Sequence, residues 1–151
     1  MTATATRPTS QQGFAIRKLL WVGPLTIIVA VIANLLVRTI AVTFFGVPDG
    51  FMYLQAPVVA GSTTIFLLLG LLAFILVDRF ARRPIRFYRI LALGALFVSF
   101  LNPVLALAGL FPVPGMNVHI FWTMIVMHSV AAIVTVGILT TLAAEGHERG
   151  V

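Results

Sequence analysis

The sequence predicts an all-α membrane protein with four transmembrane helices in an antiparallel bundle and both termini on the inner side of the membrane. Hydrophobic residues make up 60% of the 151 residues and charged residues only 9%, against about 25% charged residues in ordinary soluble domains. Four long apolar runs follow one another, and the basic residues are confined to alternate connections between them. A soluble domain of this size could not cover its surface with so few charges, so hydrocarbon is the expected solvent for much of it.

The apolar runs divide the chain into one transmembrane domain and two tails. Residues 1–13 are rich in Thr, Ser and Gln, which predicts a disordered cytoplasmic tail. Residues 14–145 form the predicted four-helix domain, and residues 146–151 form a second cytoplasmic tail. A span needs about 20 residues, and four runs meet that length: about 20–45, 58–77, 90–111 and 118–144.

Two prolines bear on where the predicted helices begin and break. Pro24 is best tolerated in the first helical turn, which favours a start of the first helix near Gly23. Asn102-Pro103 is expected to interrupt the third span, because proline cannot donate a backbone hydrogen bond.

The distribution of basic residues predicts the orientation. One connection, from Asp78 to Arg89, holds half of the ten basic residues: Arg79, Arg82, Arg83, Arg86 and Arg89. Three more precede the first span and one follows the fourth, whereas the other two connections have none. The positive-inside rule therefore predicts that both termini and the arginine connection are cytoplasmic, in a multi-pass protein of the cell (plasma) membrane. These arginines are interpreted as topology anchors that contact anionic lipids of the inner leaflet.

Polar residues inside the spans are the candidates for a binding site. Asn34, Arg38, Asn102 and His128 fall at similar depths in the outer half of the membrane, and together they would form one polar cluster if they faced inward. One interpretation is a set of interhelical hydrogen bonds that hold the helices together. The other is a pocket for a small ligand or ion.

Arg38, the tenth basic residue, is the most costly of these to place in a membrane. It could reach the outer headgroups or backbone carbonyls, with Asp49 as a possible partner. It could instead bind an anionic ligand, or pack against a partner subunit.

Several functional classes are disfavoured by what the sequence lacks. There are no cysteines, which removes thiolate metal sites and thiol chemistry, and we predict neither a metal site nor a cofactor. A haem between two histidines is not expected within one chain, because neither His119 nor His147 can face His128, and only a dimer that shares two His128 side chains would supply both ligands. The basic residues flank apolar runs instead of forming a face, so nucleic acid is not an expected partner. We also expect no enzymatic activity, since no nucleophile is accompanied by a supporting acid.

Short motifs along the chain are similar to those of a known group. They are Asn34 in the first span, Arg82 to Pro84 in the arginine connection, Asn102-Pro103 in the third span and Met127-His128 in the fourth. From about Arg17 to Glu145 the chain resembles small four-helix bacterial membrane proteins classed as domain of unknown function 6069. That resemblance implies an integral membrane protein of bacterial type and supplies no activity.

Two classes of function remain open at this point. The first is a non-enzymatic structural or accessory protein that associates with itself or with other membrane subunits through its helices. Small residues in the spans would permit close packing: Gly61, Gly70, Gly94, Ala131, Ala132 and Gly137. The second is a small transport or ligand-binding protein that uses the outer polar cluster.

Overall fold

The structure, a computed structural model, describes residues 10–81 and 83–148, and the side chains of residues 20–81 and 83–142. Within those residues the regular secondary structure is helical, with no strands. Its elements are α1 (Ser10–Phe44), a 3-10 turn (Met52–Leu54), α2 (Ala56–Phe80), α3 (Pro84–Leu107) and α4 (Val118–Glu148).

All four α-helices contain a segment that is long and apolar enough to cross a membrane. The segments are 24 or 25 residues long with mean hydropathy between 2.0 and 2.4. At about 1.5 Å per residue such a helix exceeds the roughly 30 Å of a hydrocarbon core. The prediction of an all-helical chain with four candidate spans is confirmed.

The connection between α2 and α3 is much shorter than the predicted one, which ran from Asp78 to Arg89. Only residues 81–83 separate the two helices, so Arg79 lies in the last turn of α2, and Arg86 and Arg89 lie in α3. Arg82 lies outside the described residues. A helix can extend past the hydrocarbon because its arginine side chains still reach polar surroundings. Pro84 is suited to the first helical position, which explains why α3 begins there.

The helix bounds depart from the sequence expectations at other points. α1 already begins at Ser10, so residues 10–13 are helical, and it continues through Pro24. The expected start near Gly23 is therefore wrong. α3 likewise continues through Pro103 and ends at Leu107. A proline in a long helix removes one hydrogen bond, and a polar side chain or a neighbouring helix can accommodate the loss.

Two apolar clusters tie the helices together at opposite ends of the structure. We call the first end the loop end, because residues 45–55 and 108–117 lie there. Its cluster joins Ala41 of α1, Val59 of α2 and Ile120 of α4 to the buried Phe51 of the first loop. The loop that follows α3 begins with Gly109 in the left-handed conformation (φ 75°), which glycine adopts without strain.

The second end is called the arginine end, because it contains the connection at 81–83. Its cluster joins Phe74 and Val77 of α2 to Tyr88 of α3 and Leu139 of α4. The Phe74 and Tyr88 rings meet edge to face with centroids 4.9 Å apart, a favourable aromatic geometry. α1 and α3 each pack against both α2 and α4, and α2 also contacts α4 directly.

Candidate functional site

Arg38 connects α1 to the loop that follows it. Its Nε donates a hydrogen bond of 2.6 Å to the carbonyl oxygen of Leu54, and its guanidinium forms a salt bridge with Asp49. The Arg38 side chain is 18% exposed, whereas that of Asp49 is 73% exposed. The arginine thus fixes the first loop against α1, and its charge is offset by a carboxylate at the loop end.

Asn34 lies one turn before Arg38 and is almost fully buried, with 4% of its surface exposed. Its Nδ2 donates a 3.0 Å hydrogen bond to the hydroxyl oxygen of Thr63, which ties α1 to α2. Its Oδ1 has no hydrogen-bond partner among the described residues. An unpaired buried acceptor costs about 1–3 kcal/mol, so this pair is only partly satisfied.

His128 turns toward its own helix and toward α3. Its Nδ1 donates to the carbonyl oxygen of Met124 at 2.6 Å, and its ring lies against Phe100 with the centroids 6.5 Å apart. Because a carbonyl oxygen only accepts, this bond leaves Nε2 as the acceptor in a neutral imidazole. The side chain is half-buried.

Asn102 differs from the other candidates because it is exposed on the outside of the bundle. No hydrogen bond from its amide is found to any other residue that the structure describes. Two turns earlier on the same helix face lies Gly94, where an added Cβ would meet no atom within 4 Å. Val98 stands between them and is 66% exposed. This stretch of α3 therefore presents a small residue and a free amide outward.

The arginines predicted to anchor the topology have different surroundings. Arg89 donates a 3.2 Å hydrogen bond to the hydroxyl of Thr140 on α4. The Arg79 guanidinium carbon lies 5.9 Å from the centre of the Phe80 ring. Arg83 and Arg86 are exposed. The bond between Arg89 and Thr140 was not predicted, although both residues lie near the same end of their spans.

Comparison with known proteins decides the family. The model of a family of unknown function, DUF6069, matches residues 14–145. The chain belongs to this family. The match includes the four candidate membrane helices, and it confirms the family suggested by the short motifs. No curated protein and no solved structure matches the chain.

In this DUF6069 chain the four candidate site residues do not hydrogen-bond to one another. Asn34 pairs with Thr63, Arg38 with Asp49 and Leu54, and His128 with Met124, while Asn102 faces outward. Most hydroxyls in the helices bond to carbonyls of their own helix, as those of Thr26, Thr123 and Thr135 do. Among the described residues no group of three His, Cys, Asp or Glu side chains could hold a metal ion. The role of the four residues in ligand binding stays a prediction.

Proposed function

We propose that the chain is a non-enzymatic, multi-pass protein of the plasma membrane that works by lateral association of helices, and that a second copy of itself binds to the exposed face of α3. The single observation that carries this proposal is Asn102, an amide on the outer surface of an apolar helix with no hydrogen-bond partner in the described part of the chain.

The depth of Asn102 supports a protein partner over a lipid headgroup. It lies twelve residues beyond Ile90, the first residue after the last arginine of α3, which is about 18 Å along the helix. Apolar residues follow it to the end of α3 at Leu107, five residues or about 7.5 Å further along the helix. An amide at that depth has few partners in lipid, whereas amides of packed transmembrane helices hydrogen-bond to one another.

The identity of the partner follows from the chemistry of the amide. An asparagine side chain contains both a donor and an acceptor, so two copies related by a two-fold axis can satisfy each other. A two-fold interface uses the same patch on both subunits. Gly94 and Val98 on the same face would allow the two α3 helices to approach closely.

The association is tested by replacing Asn102 with Leu. Full-length chains labelled with donor and acceptor dyes are reconstituted in vesicles, and energy transfer is measured as the lipid-to-protein ratio rises. We expect Asn102→Leu to weaken association by about 3- to 30-fold, from roughly 0.6–2 kcal/mol per interhelical hydrogen bond.

Ser99→Ala provides a matched loss of a polar group on the same helix. The Ser99 hydroxyl is already bonded to the carbonyl of Leu96 at 2.7 Å, so this variant should associate as the unmodified chain does. Association of Asn102→Leu at the unmodified strength would contradict the proposal.

The proposed topology is an antiparallel bundle with both termini and the arginine end in the cytoplasm. Support comes from the positions of the ten basic residues. Three precede the first span, five lie in or beside the connection between α2 and α3, one follows the fourth span, and the tenth is Arg38. The connections at the loop end contain none. The asymmetry is strong by the positive-inside rule.

The absence of cysteine makes this topology directly measurable. Single cysteines at Tyr53 and Ala81 are treated with a membrane-impermeant thiol reagent on intact cells. We expect Tyr53→Cys to react from outside, and Ala81→Cys to react only after the membrane is permeabilised. Reaction of Ala81→Cys on intact cells would show that the orientation is reversed.

The alternative function, transport or ligand binding through Asn34, Arg38, Asn102 and His128, has one observation in its favour. The unpaired Oδ1 of the buried Asn34 could accept a hydrogen bond from a small ligand. The surroundings of Arg38 favour a structural role, because Asp49 and Leu54 already occupy its guanidinium. A cellular activity that survives Gly94→Leu and is lost in His128→Ala would favour the alternative.

A further inference from the structure

A groove lies between the last turn of α2 and the first turns of α3, at the arginine end of the structure. Its volume is about 680 Å³. The walls are mainly apolar and include Leu76, Phe80, Phe87 and Ile90, and the guanidinium-bearing side chains of Arg83 and Arg86 also line it. The groove thus combines an apolar trough with two positive charges.

The two arginines are available to a ligand. Both are exposed, and no carboxylate lies within salt-bridge distance of either in the part of the chain that the structure describes. Arg83 immediately precedes α3 and Arg86 lies in its first turn, and both side chains line the groove. A group with one or two negative charges could contact both.

The beginning of α3 adds backbone donors to the same place. Arg83 precedes the helix and makes no capping hydrogen bond with its side chain, and Pro84 occupies the first turn. The first N–H groups of a helix have no partner within the helix, and together with the helix dipole they favour a phosphate. Pro84 has no N–H and the N–H of Phe87 is bonded to the carbonyl of Arg83, so the free donors are those of Ile85 and Arg86, in the same first turn as the Arg86 guanidinium.

The neighbouring arginines are placed differently. Arg89 is bonded to Thr140 on α4, and Arg79 lies near the Phe80 ring, and neither lines the groove. Arg79 therefore offers a control with the same charge in the same region.

We propose that this groove binds one anionic glycerophospholipid. Its phosphate lies between Arg83, Arg86 and the first N–H groups of α3, and one acyl chain lies along Leu76, Phe80, Phe87 and Ile90. A zwitterionic choline lipid carries a cation next to its phosphate, which the two arginines disfavour. A lipid with a net negative headgroup has no such opposition. This proposal goes beyond association through α3 and needs only that the helices span a membrane.

The test measures lipid retained by the purified full-length chain in detergent, using native mass spectrometry. Dioleoyl phosphatidylglycerol and dioleoyl phosphatidylcholine are titrated separately, because they share their acyl chains and differ in headgroup. We expect phosphatidylglycerol to bind about 30-fold more tightly than phosphatidylcholine, from the contribution of two basic residues near a membrane surface.

Substitutions of arginine separate a specific site from general surface charge. The double variant Arg83→Gln/Arg86→Gln should lose most of the preference for phosphatidylglycerol, whereas Arg79→Gln should keep it. A loss in Arg79→Gln half as large as that in the double variant, or larger, would overturn the proposal, because the double variant removes two charges and Arg79→Gln removes one, as expected if only the summed charge of the region matters. Equal binding of the two lipids by the unmodified chain would overturn it too.

Two further measurements address the acyl chain. Leu76→Trp, which fills the groove, should reduce binding of phosphatidylglycerol at least several-fold, whereas Leu72→Trp one turn away should not. Leu72 is 52% exposed and does not line the groove. The proposal fails if millimolar inorganic phosphate displaces the lipid completely, or if Leu76→Trp leaves lipid binding unchanged. Either result would show that the groove binds an anion and has no place for an acyl chain.

Discussion

Replacing Gly94 with Leu is expected to abolish self-association of the chain while leaving its own fold intact. A Cβ added at Gly94 would have no neighbour within 4 Å, so the larger side chain disturbs no contact inside one molecule. It would hold two facing α3 helices apart, and close approach at a small residue is what permits their backbones and side chains to pack. We expect association in vesicles, measured by energy transfer between labelled chains, to weaken at least tenfold.

Two other glycines show whether the effect is specific to α3. Gly61 on α2 is also exposed and open, so Gly61→Leu should retain both fold and association. At Gly70 an added Cβ would lie 3.7 Å from the Tyr88 hydroxyl and 3.9 Å from a Thr135 methyl. Gly70→Leu should therefore lower thermal stability instead. A Gly94→Leu protein that is unstable, or that associates normally, would contradict the proposed role of α3.

Arg38→Leu is expected to release the first loop from α1. The substitution removes the hydrogen bond to the carbonyl of Leu54, a residue only 2% exposed, together with the salt bridge to Asp49. Leaving a buried acceptor unpaired costs about 1–3 kcal/mol. We expect a lower midpoint of thermal unfolding in detergent and faster proteolysis within residues 46–55.

Asp49→Asn separates the contribution of the carboxylate from that of the arginine. Asp49 is 73% exposed, and exposed salt bridges contribute roughly 0–1 kcal/mol. This variant should therefore stay close to the unmodified protein in stability, since Arg38 keeps its bond to Leu54. If Asp49→Asn destabilised the chain as much as Arg38→Leu, the carboxylate would be the more important partner.

The number and approximate position of the spans could be predicted because hydropathy is a property of the sequence itself. A run such as 58–77 is apolar whatever surrounds it, and α2 contains it completely. The ends of the helices were harder to predict, because arginine and proline occur both in helices and in loops. Arg79 and Arg86 are helical although charge predicted a connection, and Pro24 and Pro103 lie within helices.

The arrangement of the polar residues could not be predicted in the same way. Depth follows from counting residues, and it placed Asn34 and His128 together. The rotation of each helix about its axis depends on packing along its whole length, and apolar residues surround these helices on nearly every side. Rotation brings Asn34 to Thr63 and turns His128 toward Phe100. The pairing of Arg38 with Asp49 was foreseen as a possibility because the two are close in sequence, and it is present.

Cysteine cross-linking of α3 tests the proposed association most directly. The chain has no cysteine of its own, and Val98 lies between Gly94 and Asn102 on the exposed face of α3. In membranes treated with a mild oxidant, Val98→Cys is expected to form disulfide-linked dimers rapidly. Ile133→Cys, on an α4 position that is 70% exposed, should stay monomeric. Equal cross-linking at the two positions, or none at Val98→Cys, would contradict a two-fold interface along α3.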